Sequence, residues 1–410
     1  MPLAKPNHNL AEAMKIAIVS PWFSEKMGYA ENHLPAAFGR QGHEVHLVTT
    51  DLQVYATYPK TYDSVYRSHL GPPSVPTGVF PCDGYTLHRL PHSRRGGLSN
   101  PGLAATLERL APDIVYCFEI MDPDYQTVAE NRLRLGYRIF CESRLHTSVL
   151  SRRANPWKMI RNWIRRRRSI RLAKEVTMFY PIAPDVTKNI ISLLGIPEVK
   201  CKQASLAVDV GNFRVIETPG LRSRWRDELG FAANDIVCVY TGRFVPEKGP
   251  LILAEAIRLL RQRGFAHFRA LFVGQGDQAT IDKISAVPGC QTHPFVGQPR
   301  LAEIYNAVDI GVWPKQESTS QLDAAACGLP LVLDAAVEDK WRTEGNGLTY
   351  NGGPEELAGC LLRMQDVVYR EKLGVYGSFK IAHAYSWDKL ASDKLKDFHE
   401  ALAVERTTHD

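Results

Sequence analysis

The chain has 410 residues, 44% of them hydrophobic and 23% charged, and its formal net charge is +6. This length is large for a single hydrophobic core, so we expect two domains, and the composition excludes a disordered or fibrous protein. The eight cysteines are spaced at least 24 residues apart. The sequence contains no Cys-x-x-Cys pair, so neither a disulfide framework nor a zinc site is expected.

The N-terminal stretch MPLAKPNHNLAEA lacks the apolar core of a signal peptide. No apolar run approaches the roughly 18 residues that a membrane-spanning helix requires. Together with cysteines suited to a reducing compartment, these features predict a cytoplasmic protein.

Short apolar runs alternate with helical patterns in the first half of the chain. The runs KIAIVSPWF, VHLVTT, PDIVYCF and YRIFC have the length and composition of buried strands. Strands that alternate with helices are typical of a parallel α/β sheet. The first half therefore predicts one such sheet.

The same alternation restarts in the second half. The run DIVCVYTG at 235–242 precedes a predicted helix from Pro250 to Arg263, and RALFVG, DIGVWP and LPLVLD follow as further strands. Residues 206–226 contain a Pro-Gly turn and break the rhythm, so we predict the hinge there. The predicted fold class is α/β, with two doubly wound Rossmann-like domains facing each other across a cleft. Such sheets bind ligands beyond the carboxyl ends of their strands.

Two cations mark the turn after the first strand of the second half, in RFVPEKGP. Arg243 directly follows the strand core, and Lys248 lies just before the next helix. Cations beside a helix N-terminus suit a polyanion, because the unpaired N–H groups and the helix dipole also favour negative charge. The alternative is a surface turn with solvated charges.

A second polar turn, ESTSQLD, follows the strand DIGVWP. Ser320 and Asp323 have the spacing of a capping box, with Ser320 as the helix N-cap. A cap does not explain Glu317, Ser318 and Thr319, which precede it. A metal site is poorly supported, since no histidine lies nearby and the DPD at 122–124 is typical of a proline turn. A cradle for an anion is the third alternative, and the turn by itself does not decide between it and the cap.

The turn after the first strand of the chain, SEKMGYAENH, holds Gly28, which allows a ligand to approach the backbone. No Gly-x-Gly-x-x-Gly follows that strand, and no Gly-x-x-x-x-Gly-Lys-Ser/Thr occurs anywhere. The dinucleotide fingerprint and the P-loop are therefore excluded.

Several stretches together carry a resemblance: SPWFSEKMGYAENHL, ELGF with VYTGRFVPEKGPLILAEAI, LFVGQGD, PFVGQPRLAEIYNAVDIGVWP and AAACGLPLVL. They resemble the family-4 glycosyltransferases, which have the GT-B fold. The resemblance covers nearly the whole chain and is most specific in the second half. It implies an acceptor-side domain at 1–208, a nucleotide-sugar domain at 209–383, and a C-terminal helix at 384–410 that crosses back to the first domain.

The resemblance also implies roles for individual residues. Arg243 and Lys248 stand where the family binds the diphosphate of a nucleotide sugar. Anchored on AAACGLP, Asp323 takes the place of the acid that holds the ribose. Lys315 then falls at the place of a second acid, but a loop two residues shorter brings Glu317 there, and we prefer Glu317.

The expected site falls into three sets. The catalytic set is Arg243, Lys248 and Glu317. The donor-binding set is Gly28, Gly242, Val296, Gly297, Ser318, Thr319, Ser320 and Asp323. The acceptor-side set is Tyr29, Glu119 and His146. Gly28-Tyr29 replaces the family's Gly-Gly and Leu206-Ala207 its usual Asn-Gly, and both departures affect the acceptor side.

The expected activity is that of a retaining glycosyltransferase that moves a sugar from a nucleotide-diphosphate sugar to a glycan or lipid-linked acceptor, in surface polysaccharide or glycolipid synthesis. Neither a cofactor nor a metal ion is expected, because Arg, Lys and helix N-termini stabilise a departing diphosphate. The alternatives are another GT-B reaction, such as epimerisation or phosphorolysis, and a sugar-nucleotide-binding protein without turnover.

The positive charge is concentrated in one segment. Ten Arg and Lys residues and no acid lie between Arg152 and Lys174, which leaves 6 − 10 = −4 for the rest of the chain. On a helical wheel, Trp157 groups with Trp163 and other apolar residues, opposite most of the arginines. This pattern suits either a helix on an anionic membrane surface or a helix packed on its own domain. Nucleic acid is not an expected partner, because no recognition motif accompanies the charge.

Overall fold

The computed structural model describes residues 12–95, 97–145, 156–315, 317–337 and 340–406, with the side chains of 156–162, 165 and 404–406 left out. The strands are β1 (Lys15–Val19), β2 (Glu44–Thr50), β3 (Gly78–Cys82), β4 (Tyr85–Leu90), β5 (Ile114–Phe118), β6 (Arg138–Ser143), β7 (Met178–Pro181), β8 (Ile236–Phe244), β9 (Phe268–Gly276), β10 (Cys290–His293), β11 (Ile310–Trp313), β12 (Leu331–Asp334) and β13 (Gly347–Tyr350).

Helices of two turns or more connect most of these strands. They are α1 (Ala30–Arg40), α2 (Leu103–Leu110), α3 (Pro123–Leu135), α4 (Pro156–Leu172), α5 (Pro184–Leu194), α6 (Leu221–Leu229), α7 (Pro250–Gln262), α8 (Gln278–Ser285), α9 (Gln298–Ala307), α10 (Ser320–Ala326), α11 (Pro354–Arg363), α12 (Val367–Ala384) and α13 (Trp387–Arg406). A compound helical stretch also runs from Pro59 to Leu70.

The strands form two sheets, in the orders β3-β4-β2-β1-β5-β6-β7 and β10-β9-β8-β11-β12-β13. Each strand pairs in parallel with its neighbours, except for the antiparallel pair of β3 and β4. The chain order reverses between β1 and β5 in the first sheet and between β8 and β11 in the second. The predicted α/β fold with two doubly wound domains is confirmed.

The strands predicted from apolar runs are the central ones, since helices cover both faces of a parallel sheet and make its inner strands uniformly apolar. All five residues of β5 are buried, as are all four of β11. The strands that the sequence analysis missed lie at or near the sheet edges. There the burial is partial, as in β3 and β10, and the apolar signal is weak.

The chain passes between the domains twice, and the two passages lie side by side. The Val208 N–H donates to the Tyr385 carbonyl over 2.8 Å. Beyond this point α13 packs on the first domain, where the Phe398 ring lies 4.4 Å from that of Phe140. The Asp397 carboxylate accepts a 2.7 Å hydrogen bond from the Tyr180 hydroxyl. The last helix therefore shares the core of the first sheet.

Candidate active site

The topology brings most of the predicted site residues to the two places where the strand order reverses. Gly28 and Tyr29 follow β1, and Glu119 follows β5. In the second domain the RFVPEKGP turn closes β8, and the ESTS turn follows β11. Doubly wound sheets bind ligands in the crevice at such reversal points.

Arg243 and Lys248 differ in their surroundings. Arg243, in the last residues of β8, is exposed. Lys248 is half-buried, and its Nζ donates to the backbone carbonyl of Glu317 over 2.9 Å. Burial, and then the nearby Arg243 charge, lower the pKa of Lys248. Two cations that repel each other favour a bound anion, which relieves their repulsion.

Gly242 allows two strands to meet closely at this point. It has φ +145°, a backbone conformation that favours glycine, and its partner Gly274 on β9 has the same φ. A Cβ added to Gly274 would lie 1.9 Å from the Gly242 carbonyl oxygen. The Gly-x-Gly of β9 therefore has a packing role as the strands end.

The buried Arg342 side chain contacts the turn after β11. The sequence analysis did not identify this residue. The Arg342 side chain is only 2% exposed, and its guanidinium lies 3.8 Å from the Glu317 carboxylate. It also donates to the Ser318 carbonyl over 3.1 Å and to Gln321 Oε1 over 2.9 Å. A buried guanidinium with several acceptors holds the turn rigidly. No local motif marks Arg342, because its partners lie more than 20 residues away.

The capping box predicted from Ser320 and Asp323 is wrong. Helix α10 begins at Ser320 itself, and the preceding Thr319 has helical angles of φ −60° and ψ −33° with no side-chain cap bond. Instead the Ser320 N–H donates to the Ser318 hydroxyl over 3.3 Å. Thr319 is exposed, while Ser318 and Ser320 are half-buried.

Asp323 is held one turn into α10, next to Asp209 from the linker between the domains. Burial, and then the Asp209 charge, raise the pKa of Asp323 from an ordinary value of 3.8 to about 8. Tyr305 lies beside it, and its hydroxyl is hydrogen-bonded to the Thr241 hydroxyl at 2.8 Å. Asp323 is thus protonated at neutral pH in the unliganded protein.

This pKa predicts a pH-dependent stability difference between the protein and its Asp323→Asn variant. The unfolded chain ionises Asp323 above about pH 4, whereas the folded chain keeps the proton up to about pH 8. Between these two pH values the free energy of unfolding of the native protein falls as pH rises, by up to about 1.4 kcal/mol per pH unit. The free energy of unfolding of the variant does not fall in this way. Melting temperatures at pH 5, 6, 7 and 8 measure the difference.

The matched control is Asp227→Asn, an exposed acid of the same domain. Its melting-temperature offset from the native protein should stay nearly constant across the series. A constant offset for Asp323→Asn as well would contradict the perturbed pKa.

The predicted donor residues Val296 and Gly297 lie in the loop before α9, and both are half-buried. This loop touches the first domain. A Cβ added to Gly28 would lie 1.6 Å from the Gln298 Nε2 atom, so only glycine fits there without displacing Gln298. The structure thus brings Gly28 to the donor-side loop.

On the acceptor side, Glu119 adopts a left-handed φ of +64° directly after β5, a conformation that is uncommon for a residue with a side chain. Its carboxylate accepts hydrogen bonds from the Ser143 hydroxyl at 3.1 Å and from the Arg144 N–H at 2.9 Å. Burial raises the pKa of Glu119. The Arg144 guanidinium in turn bonds Glu31 and Glu142. His146 lies outside the described residues.

Tyr29 stands at the start of α1, where its backbone N–H donates to the Asn32 side chain over 3.0 Å. Its hydroxyl is hydrogen-bonded to the Tyr55 hydroxyl at 2.9 Å. Within the described ranges, no group of three or more His, Cys, Asp or Glu side chains has the arrangement of a metal site.

Comparison with known proteins places this site in context. Residues 235–366 match the family described as glycosyl transferases group 1. The D-inositol 3-phosphate glycosyltransferase of Segniliparus rotundus is 29% identical over 215 residues, which cover 48% of this chain and 46% of that protein. The chain spans about half the length of the curated relatives it matches.

Solved structures are similar over nearly the whole chain. Sucrose-phosphate synthase from Thermosynechococcus elongatus has a TM-score of 0.67 and 15% identity, covering 95% of this chain and 100% of that one. HepE from Anabaena, in complex with UDP, also has a TM-score of 0.67 and 15% identity, covering 94% and 100%. The chain therefore contains a glycosyltransferase group 1 domain at residues 235–366, in a fold of the GT-B type.

Proposed function

We propose that the protein is a retaining, metal-independent glycosyltransferase of family 4 that uses a nucleotide-diphosphate sugar. The observation that carries the proposal is the contact of half-buried Lys248 with the 317–320 turn, with the exposed Arg243 charge nearby, at the strand-order reversal of the second sheet. HepE, of similar fold, is described in complex with UDP, and relatives matched over about half of the chain carry glycosyltransferase names.

In the proposed reaction, negative charge develops on the leaving diphosphate, next to these two cations. The bond between the anomeric carbon and the diphosphate breaks, and the diphosphate leaves with the electron pair. The acceptor hydroxyl oxygen bonds the anomeric carbon, and its proton passes to the departing diphosphate. Arg243 and Lys248 stabilise the charge on the diphosphate, and hydroxyl groups of the 317–320 turn support them. Glu317 contacts the sugar and Asp323 the ribose.

The experiment that tests this function starts with binding. A thermal-shift panel of UDP, GDP, ADP and their common sugars should give one base with a clear stabilisation, because a bound ligand stabilises by mass action. Transfer to glycan or lipid-linked acceptors is then measured with that donor, with and without a chelator. Activity lost on chelation and restored by magnesium or manganese would contradict the metal-free mechanism.

The alternative functions differ in the products and the added substrates that an assay would show. An epimerase would convert the sugar nucleotide without releasing a diphosphate, and a phosphorylase would require added phosphate. A binding protein without turnover would give the thermal shift but no slow hydrolysis of the donor. Donor hydrolysis in the absence of an acceptor therefore separates the transferase from a binding protein.

We further propose that the acceptor is membrane-borne and that α4 rests on an anionic membrane surface. Trp163 and Ile164 in this helix are 53% and 56% exposed, so they do not pack on their own domain. The Arg167 guanidinium lies over the Trp163 ring at 4.2 Å. Exposed apolar side chains interleaved with arginines suit the interface of an anionic bilayer. Residues 152–155 lie outside the described residues, as does the side chain of Trp157.

The opposite side of α4 holds the helix on the domain. Ser169 is buried, its carbonyl accepts from the Tyr125 hydroxyl over 3.3 Å, and its hydroxyl from Gln126 over 3.2 Å. One side of α4 therefore packs on the first domain, and another side is exposed. Across the described residues, no helix combines the length and hydropathy needed to cross a membrane.

Replacing Arg166, Arg167 and Arg171 by glutamine should weaken binding to anionic vesicles roughly a hundredfold, since each basic residue near such a surface contributes about 1 kcal/mol. All three are exposed. Co-sedimentation with anionic and neutral vesicles over a salt series measures the effect, which should diminish with salt.

The matched control removes the same charge elsewhere, with Lys283, Lys372 and Lys389 changed to glutamine. This control should bind like the native protein. Equal binding of the native protein to both vesicle types, or to neither, would contradict the membrane role and favour a soluble acceptor.

A further inference from the structure

The first domain presents a rigid aromatic wall to the cleft that the sequence analysis did not identify. The wall belongs to the compound helical stretch from Pro59 to Leu70, of which Tyr62–Tyr66 is a π-helical turn. It rests on a small hydrophobic cluster of Leu52, Val54, Ala56, Tyr62 and Leu70. π-Helical turns are rare and occur frequently at functional sites.

Tyr55 connects this wall to the turn after β1. It has a left-handed φ of +64°, a strained conformation that surrounding contacts must stabilise. Its ring stacks on that of Tyr66, with centroids 4.5 Å apart and an angle of 15° between the planes. Its hydroxyl is hydrogen-bonded to that of Tyr29 at 2.9 Å. Three phenols thus form one cluster on the first domain.

Tyr66 is the member of the cluster that reaches the second domain. Its ring meets Phe295 edge-on with centroids 6.2 Å apart, and the neighbouring His69 ring meets Phe295 at 5.7 Å. Phe295 directly precedes Val296 and Gly297 of the proposed donor site. Tyr66 therefore lies across the cleft from the loop that is proposed to bind the nucleotide.

The charge of Arg243, in the proposed diphosphate site, also acts on the Tyr66 hydroxyl. Burial, and then the neighbouring Tyr55 hydroxyl, raise the pKa of Tyr66 to about 12, and the positive charge of Arg243 opposes the rise. At neutral pH this hydroxyl carries its proton, is hydrogen-bonded to Tyr55 and lies in the field of the exposed Arg243 charge. An anion bound by Arg243 would accept that proton in a hydrogen bond.

We propose that Tyr66 is a donor-binding residue contributed by the first domain, whose hydroxyl donates to the diphosphate of the nucleotide held by Arg243. This proposal rests on the proposed function. It gives domain closure a direct chemical consequence, because the diphosphate gains this donor only when the Tyr66–Phe295 contact between the domains is made. The stacked Tyr55 ring and the π-helical turn hold the Tyr66 side chain in place for that purpose.

The test replaces Tyr66 by phenylalanine, which keeps the ring and its stacking and removes only the hydroxyl. Affinities are measured for UDP, GDP and ADP, each against its own nucleoside. A hydrogen bond to a charged group predicts a ten- to hundredfold loss of affinity for the preferred diphosphate. Affinity for the nucleoside, which lacks phosphate, should be unchanged. The variant should melt within a few degrees of the native protein, since the hydroxyl is at the cleft.

Tyr62→Phe is the matched structural control on the same turn. Its buried hydroxyl donates to the carbonyls of Gly71 and Pro72 at 3.0 and 3.1 Å, so its loss should lower the melting temperature without changing the diphosphate-to-nucleoside affinity ratio. An unchanged ratio in Tyr66→Phe, in a protein that binds diphosphates, overturns the proposal for Tyr66 alone. Absence of diphosphate binding by the native chain overturns the proposed function together with it.

Discussion

Replacing either Arg243 or Lys248 by alanine should lower the turnover of sugar transfer by roughly a hundredfold or more. This is the usual cost of removing one electrostatic stabiliser of a transition state. Both cations are proposed to stand where charge develops on the leaving diphosphate, and Lys248 has a lowered pKa because burial and Arg243 disfavour its charge. Binding of the diphosphate relieves that repulsion. Steady-state kinetics with saturating acceptor and the preferred donor measure the loss.

The fold should survive both substitutions, because Arg243 is exposed and Lys248 is half-buried and donates to a backbone carbonyl in a turn. Thermal melts check this. Lys283→Ala, an exposed cation on α8 of the same domain, is the control and should keep native activity. Arg243→Lys keeps the charge but loses bidentate geometry, so it should recover only part of the rate. Near-native turnover in either alanine variant would indicate that Arg243 and Lys248 are surface charges without a role in transfer.

Glu317→Gln should abolish most transfer, by roughly a hundredfold, while leaving the affinity for a free nucleoside diphosphate close to native. The reason is geometric: the Glu317 carbonyl accepts from Lys248 and is retained, whereas its carboxylate, 3.8 Å from Arg342, is proposed to contact the sugar. A carboxylate-to-amide change removes charge at nearly constant volume. Parallel measurement of transfer rate and diphosphate affinity separates the two roles.

The control for this prediction is Glu371→Gln, an exposed acid on α12, which should change neither quantity. A melting curve of Glu317→Gln is needed as well, since the buried Arg342 loses part of its counter-charge. If transfer and diphosphate affinity fell together, Glu317 would act in holding the turn and not in contacting the sugar.

Much of the fold was predictable because its determinants are local in the sequence. Buried central strands require unbroken apolar runs, and the helix from Pro250 shows its buried face through the spacing of Leu253, Ala256, Ile257 and Leu260, all of which the structure buries. Edge strands such as β3 and β10 have half-exposed residues and no such signature. Their positions follow from pairing with a neighbouring strand, which the sequence does not display.

The N-cap assignment at Ser320 shows how tertiary contacts override a local motif. A Ser followed three residues later by Asp has the spacing of a capping box, but the buried Arg342 binds the Ser318 carbonyl and Gln321, so the turn closes one residue earlier than a cap requires. Asp323 is then directed toward Asp209 of the linker. Its pKa of about 8 results first from burial and then from the charge of Asp209, which lies 114 positions away in the chain.

The sequence by itself determined the two-sheet α/β architecture and the strand-end positions of Gly28, Glu119, Arg243 and the 317–320 turn. It could do so because apolar periodicity and turn residues act over a few positions. Only the tertiary structure decided which side chains share the cleft: Arg342 beneath the ESTS turn, Arg144 beside Glu119, and Tyr66 opposite Phe295. Those contacts join residues distant in the chain, and their energies depend on burial and on distances between atoms that exist only once both sheets have folded and faced each other.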